Sequence, residues 1–226
     1  MKRSSPFAKA LVAALPVMGG YVAIGVPCGI LESQVGVDPL MSFLVSATFY
    51  SGAGQFMVCN LLMAGVPLAS VAASVSLVNA RQVLYSAAFS PYFSHVRKGL
   101  TFLFSATVTD ESFGVNLARF ANDEGWTAGL ATLVNLLCMT SWSLSNLVGC
   151  AVGGLLGIPV AISSFAMTSI FICLLVCQPR TRTSVLVAAV AALVVCLCKA
   201  VGLAGPAILV GACSGVAAGI AREALS

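Results

Sequence analysis

Long apolar runs separated by short polar interruptions make up almost the whole chain. The first run is Ala10 to Leu31, followed by the polar stretch Glu32 to Pro39, a second run from Leu40 to about Ala64 and the turn Gly65-Val66-Pro67. A third run extends from Leu68 to about Phe89, and Pro91 to Gly99 reads as a loop carrying His95, Arg97 and Lys98. Leu100 to Phe120 is a shorter segment interrupted by Thr109-Asp110-Glu111-Ser112, with the polar loop Asn122 to Gly125 after it. Thr127 to Gly157, Val160 to Cys177, Thr183 to Val201 and Leu203 to Ala221 complete the set, with Gln178 to Arg182 as the charged loop among them. A helix crossing the hydrocarbon needs about 20 mostly apolar residues, so the pattern predicts an all-α polytopic membrane protein with about seven or eight transmembrane helices.

Several of these helices are expected to be broken. Pro16, Gly19, Gly20, Gly25, Pro27 and Gly29 predict kinks or local unwinding in the first span. The middle of the second reads Phe49-Tyr50-Ser51-Gly52-Ala53-Gly54-Gln55-Phe56, a small-residue break with a polar side chain attached. Gly36-Val37-Asp38-Pro39-Leu40 and Gly157-Ile158-Pro159-Val160 each open a span after a Gly-rich helix. That echo suggests a single transmembrane domain over 1–226 built from half-repeats at about 10–99 and 127–222. Inverted repeats whose broken helices meet at the membrane midplane are a common transporter architecture.

Composition agrees with the pattern. Of 226 residues, 59% are hydrophobic and 8% charged, against roughly 25% charged in soluble domains. Such a chain cannot cover a water-facing surface, and short loops leave no room for a soluble domain. The first run is too long for the core of a cleavable signal and reads as a span. The net charge of +4 comes from basic residues at span ends, which suits anionic lipid headgroups better than nucleic acid. By the positive-inside rule Lys2, Arg3 and Lys9 put the N-terminus in the cytoplasm. Counting crossings from there puts Arg180 and Arg182 inside but His95, Arg97 and Lys98 outside. Either one cluster breaks the rule or Leu100 to Phe120 is not a single crossing.

Most other polar side chains have plain readings. The nine cysteines include no Cys-x-x-Cys pair and read as small buried hydrophobes, with the single histidine, His95, far from them in sequence. Glu32, Asp38, Asp123 and Glu124 read as loop charges, Lys199 as snorkelling at a span end, and Trp126 and Trp142 as interface anchor and packing residue. Asn135 and Asn146 are expected to hydrogen-bond across helices or else to line a path. No phosphate-cradling Gly-x-x-x-x-Gly-Lys loop is present. Energy for transport would have to come from an ion gradient, the solute gradient or another subunit, and no cofactor is implied.

The informative residues are the charges inside apolar runs. Arg81 lies between Ala69–Val78 and Val83–Phe89, and a charge at the bilayer centre costs at least about 2.5–3.5 kcal/mol unless something offsets it. Asp110 and Glu111 are the acidic residues within an apolar run and the obvious partners. On a helix Arg81 and Tyr85 share a face, with Asn79 and Gln82 on a neighbouring one. The stripe suits a wet cavity; it equally suits an ion pair that merely joins two helices. Gly52 and Gly54 beside Gln55 suggest an unwound segment whose exposed N–H groups receive an anionic ligand group, or else a small-residue packing patch.

These residues resemble the AzlC family of branched-chain amino acid permease subunits. The matching elements are the Pro- and Gly-rich first span, Phe49 through Gln55-Phe56, Asn79-x-Arg81 followed by Tyr85-Ser86 and Pro91, and Thr109-Asp110-Glu111-Ser112. The likeness covers most of the chain and is strongest from about Pro16 to Phe113. It implies export of hydrophobic amino acids such as valine, leucine and isoleucine, with a small membrane partner of the AzlD type. The chain departs from the family at Gln82, where a histidine commonly follows the arginine. Glutamine does not titrate, which leaves Asp110 and Glu111 as proton carriers.

The leading expectation is therefore a secondary transporter subunit in the bacterial plasma membrane, exporting branched-chain or similar amino acids with proton coupling. Gly52, Gly54, Gln55, Asn79, Arg81 and Tyr85 would bind substrate, and Asp110 or Glu111 would carry the proton or form a gate. The alternative is a non-transporting membrane scaffold or assembly factor. A membrane enzyme ranks last, because no nucleophile or metal constellation is visible.

Overall fold

The computed structural model describes residues 5–156, 181–202 and 207–224, with isolated positions 165, 168, 169, 172 and 176. The expected span Val160 to Cys177, and with it the second member of the sequence echo, lies outside the described residues apart from those isolated positions. Ten helices are described: α1 (Pro6–Gln34), α2 (Pro39–Thr48), α3 (Gly52–Met63), α4 (Leu68–Ala88), α5 (Ser90–Phe93), α6 (Lys98–Thr107), α7 (Asp110–Asn122), α8 (Ala128–Leu156), α9 (Arg182–Ala200) and α10 (Ala207–Ala224). No strand occurs among the described residues. Among the described residues three helices, α1, α8 and α9, are long and apolar enough to cross a membrane, and α2 and α3 are shorter apolar pieces.

The chain divides into two compact units, Met1–Phe56 with Asn79–Met167, and Met57–Val78 with Thr168–Ser226. The first is organised by α1 and α8, which pack along most of their length. Their contact is a glycine seam. A Cβ added to Gly25 would lie 2.7 Å from Ser145 Cβ, and one on Gly153 would lie 2.9 Å from Ile30 Cα. Cβ atoms on Gly29 and Gly149 would run into the Asn146 and Val26 carbonyl oxygens of the facing helix. Lipid tails are as apolar as leucine, so helices in a membrane associate through close backbone packing rather than through hydrophobic exclusion. The seam supplies that closeness.

This corrects the expectation of local unwinding in the first span. α1 runs unbroken through Pro16 and Pro27 for 29 residues, and Gly25 and Gly29 serve its packing on α8 rather than unwinding. The second span is broken as predicted, into α2 and α3, but at Phe49–Ser51. Gly52 and Gly54 stand inside the first turn of α3. Their small size has another cause: a Cβ on Gly52 would sit 3.1 Å from the Trp142 ring, and one on Gly54 would sit 2.8 Å from both the Phe49 ring and Ser51 Oγ. Leu100 to Phe120 is likewise two helices, α6 and α7, parted at Val108–Thr109.

Other corrections concern single residues. Glu32 is not a loop charge but sits in the last turn of α1, 3% exposed. Trp126 is buried rather than at an interface, donating Nε1 to Asn116 Oδ1 at 3.3 Å, with Lys9 and Arg119 lying over its ring. Lys9 also pairs with Asp123 at 2.9 Å, tying the start of α1 to the α7–α8 loop. The Lys9 hydrogen bond holds the Asp123 carboxyl below the usual aspartate range.

In the second unit α9 and α10 pair through another glycine row. Gly211, Gly215 and Gly219 of α10 face Val195, Ala191 and Val187 of α9. Thr181 caps α9 by accepting from Ser184 N at 3.0 Å.

Candidate functional site

Both helix breaks lie in the first unit, and the sequence around each explains why the helix stops there. At the first, Phe49 leaves helical geometry with ψ 67° after donating its N–H to Val45 O. Ser51 then starts α3: its Oγ accepts from Gly54 N at 3.1 Å and its carbonyl from Gln55 N at 2.9 Å. At the second, Val108 and Thr109 are extended, and Thr109 caps α7 reciprocally with Ser112. Thr109 N donates to Ser112 Oγ at 2.9 Å, a capping box with serine in the third helical position.

Breaking a helix in lipid frees carbonyl groups that must find donors. Side-chain amides supply them here. Gln82 Nε2 donates to Tyr50 O and Asn135 Nδ2 to Phe104 O, each at 3.3 Å. Asn135 in turn accepts from Asn116 Nδ2 at 3.0 Å, so its amide bonds across helices as the sequence suggested. Asn146 does not: its Nδ2 donates within α8, to Trp142 O at 2.9 Å.

The predicted site residues gather around these breaks. Arg81 of α4 pairs with Asp110 of α7 at 2.9 Å, and both side chains are about two-fifths exposed (42% and 36%). Asp110 and Glu111 occupy the first turn of α7, where the partial positive charge of the helix terminus favours them. Tyr85, one turn beyond Arg81, lays its ring on Phe113 at 4.8 Å. Asn79 accepts from Ser51 Oγ at 2.6 Å, joining α4 to the first break. Gln55 is 2% exposed and committed at both ends of its amide: Nε2 donates to Ser46 Oγ at 2.9 Å, and Oε1 accepts from Trp142 Nε1 at 2.6 Å.

The residue that joins the two breaks is one that sequence reasoning missed. Tyr21 of α1 is 5% exposed and donates to Glu111 Oε2 at 2.7 Å. Its single proton is then used, so the Thr109 hydroxyl, also at 2.7 Å, is the donor in that second contact. The Tyr21 ring meets Tyr50 edge-on at 6.3 Å and Trp142 at 5.4 Å. A continuous set of contacts therefore runs from Gln55 through Trp142 and Tyr21 to Glu111 and the Arg81–Asp110 pair. The one available signal was a tyrosine amid the glycines of an apolar span. Two buried oxygens at this centre, Tyr50 Oη and Asp110 Oδ1, make no hydrogen bond among the described residues.

These features define an integral membrane protein, helical throughout its described elements, in which two interrupted helices meet on a buried tyrosine beside a half-exposed ion pair. The chain belongs to the AzlC family: the family described as "AzlC protein" matches over residues 16–156, which takes in both breaks and every site residue named above. A membrane protein of Helicobacter pylori (strain ATCC 700392 / 26695) is 33% identical over 79% of this chain and 79% of its own length. The inner membrane protein YgaZ of Escherichia coli (strain K12) is 29% identical over 82% of this chain and 78% of its own. The branched-chain amino acid transport protein AzlC of Bacillus subtilis (strain 168) is 27% identical over 76% of this chain and 67% of its own. No solved structure gives a significant match.

Proposed function

We propose that this protein is the large subunit of a secondary transporter that exports branched-chain or other hydrophobic amino acids across the bacterial inner membrane. In this reading a small membrane subunit of the AzlD type completes it, and proton movement drives it. Seven or eight crossings, with half-repeats at about 10–99 and 127–222, belong to the same proposal. The observation that carries it is the Arg81–Asp110 pair at 2.9 Å, set at a helix break and linked through Glu111 and Tyr21 to a second break. Ionisable residues within apolar helical runs are functional by default, and broken helices beside the pair supply a place for a polar ligand group.

Arg81 attracts the substrate α-carboxylate, and Asp110 gives it up. Asp110 or Glu111 exchanges the coupling proton, and re-pairing of Arg81 with Asp110 closes the empty site. Asn79 and Tyr85 line the approach. Gly52 and Gly54 let the first turn of α3 pack on Trp142, Phe49 and Ser51 and so shape the substrate site, while Gln55 acts through its hold on Trp142 and Ser46. The test is efflux of radiolabelled valine and leucine from loaded cells making this chain with its small partner. Arg81→Ala should cut efflux at least about tenfold while the protein still reaches the membrane. Normal efflux by that variant would remove Arg81 from the mechanism.

The closed pair also favours a second reading, a scaffold in which Arg81 and Asp110 only clamp α4 to α7. A variant neutral at both positions would then leave the small partner assembled and any transport it supports unchanged.

A further inference from the structure

We propose that Glu32 is a second proton-carrying carboxyl, at the far end of α1 from the site; the inference rests on the proton-coupled reading above. Glu32 is 3% exposed and accepts from Ser42 Oγ of α2, itself wholly buried. The ion pairs among the described residues are Lys9–Asp123 and Arg81–Asp110, so no described cation lies within 4.0 Å of Glu32. The groups that face it are neutral or acidic. α2 offers Ser42, and α8 offers the Cys150 thiol, which donates to Val37 O at 3.1 Å. Asp38, at the start of α2, is occupied in capping that helix, accepting from Leu40 N and Met41 N at 2.9 and 3.0 Å. A shut-in carboxyl with no cation beside it among the described residues is cheaper to hold as the neutral acid than as the anion. It has reason to release its proton only when water reaches it.

Glu32 also has a route to the centre. Ser42 and Ser46 stand one turn apart on α2 and are both fully buried. Ser46 receives the Gln55 amide, Gln55 receives the Trp142 indole, and Trp142 packs on Tyr21, which donates to Glu111. The half-helix α2 is thus held at one end by a carboxyl and at the other by the break. Tyr21 and Glu32 are eleven residues apart on α1, about 16 Å along a helix, so the two carboxyl sites are distinct. An ionised Glu32 can only accept from Ser42, whereas the neutral acid can also donate. Binding or loss of one proton on the Glu32 carboxyl oxygen, with no other bond changed, therefore alters what fastens α2.

The experiment uses the protein with its small partner in proteoliposomes and radiolabelled leucine as probe. Flux driven by an imposed pH gradient is compared with leucine–leucine counterflow without a gradient. For Glu32→Gln, gradient-driven flux should fall about tenfold or more while counterflow stays within about twofold of the parent. Gradient-driven flux equal to the parent's would overturn the proposal. Equal loss of both fluxes would also overturn it, assigning Glu32 a purely structural part. A parent whose flux ignores the gradient would remove proton coupling itself, and this inference with it, whatever Glu32→Gln does.

Discussion

The two helix breaks share a geometry and differ in chemistry. Between α2 and α3 everything is neutral: Tyr50, Ser51 and Gln55 are buried, Trp142 covers Gly52, and the freed Tyr50 carbonyl goes to Gln82. Between α6 and α7 two carboxylates sit on the new helix terminus, one paired with a half-exposed arginine and the other itself exposed. Interrupting a helix does not by itself make a reactive site. The first break fixes a shape, because Ser51, Gln55, Trp142 and the Tyr50 carbonyl all have partners inside the protein. The second holds charge that can change partners, because its ion pair stands partly open.

The α1–α8 seam underlies both breaks, so disturbing it should erase the contrast and give the largest effect. Gly149→Leu would drive a side chain into the Val26 backbone, and backbone cannot yield as a flexible side chain does. The expected result is no folded protein in detergent by fluorescence-detected size exclusion, with transport lost as a consequence. A normal elution profile would mean that the seam is looser than drawn.

A substitution confined to the neutral break should act on stability before chemistry. Gln55→Leu leaves the buried Trp142 Nε1–H without its acceptor, and an unsatisfied buried donor costs about 1–3 kcal/mol. The melting temperature in detergent should fall clearly, while the protein still inserts and keeps measurable efflux. Loss of efflux at an unchanged melting temperature would move Gln55 from shaping the break to contacting substrate.

Much of this contrast was legible in the sequence. Arg81, Asp110 and Glu111 stood out because charge within an apolar run has few explanations, and the structure brings Arg81 and Asp110 into contact. The breaks were legible to within a few residues. Their causes were not, since glycine reads the same whether it permits unwinding or admits a neighbour. Gly25 and Gly29 looked like weak points of α1 and are its packing surface; Gly54 looked like the break and sits just inside the next helix. Tyr21 went unread, and Glu32 read as a loop charge, for the opposite reason. A lone tyrosine in a span and a glutamate at its end are individually ordinary. Their significance comes from α2, α7 and α8 folding against them, which no local pattern encodes.

The smallest effect is expected at the cap of the charged break, where it sharpens the comparison most finely. Thr109→Ala removes the hydroxyl that accepts from Ser112 N and contacts Tyr21, and losing such a cap costs typically about 1 kcal/mol. The cost should stay near that value because much remains: residue 109 N still donates to Ser112 Oγ, Phe113 N still donates to the residue 109 carbonyl at 2.8 Å, and Tyr21 still holds Glu111. Thr109→Ser keeps the hydroxyl and should melt close to the parent, so the difference between the two variants isolates the cap from the lost methyl. Efflux should follow stability in both, since the hydroxyl only orients the carboxylates beside it. A Thr109→Ala protein that melts like Thr109→Ser but no longer exports would show that this hydroxyl takes part in handling the proton, and the charged break would then begin one residue earlier than its carboxylates.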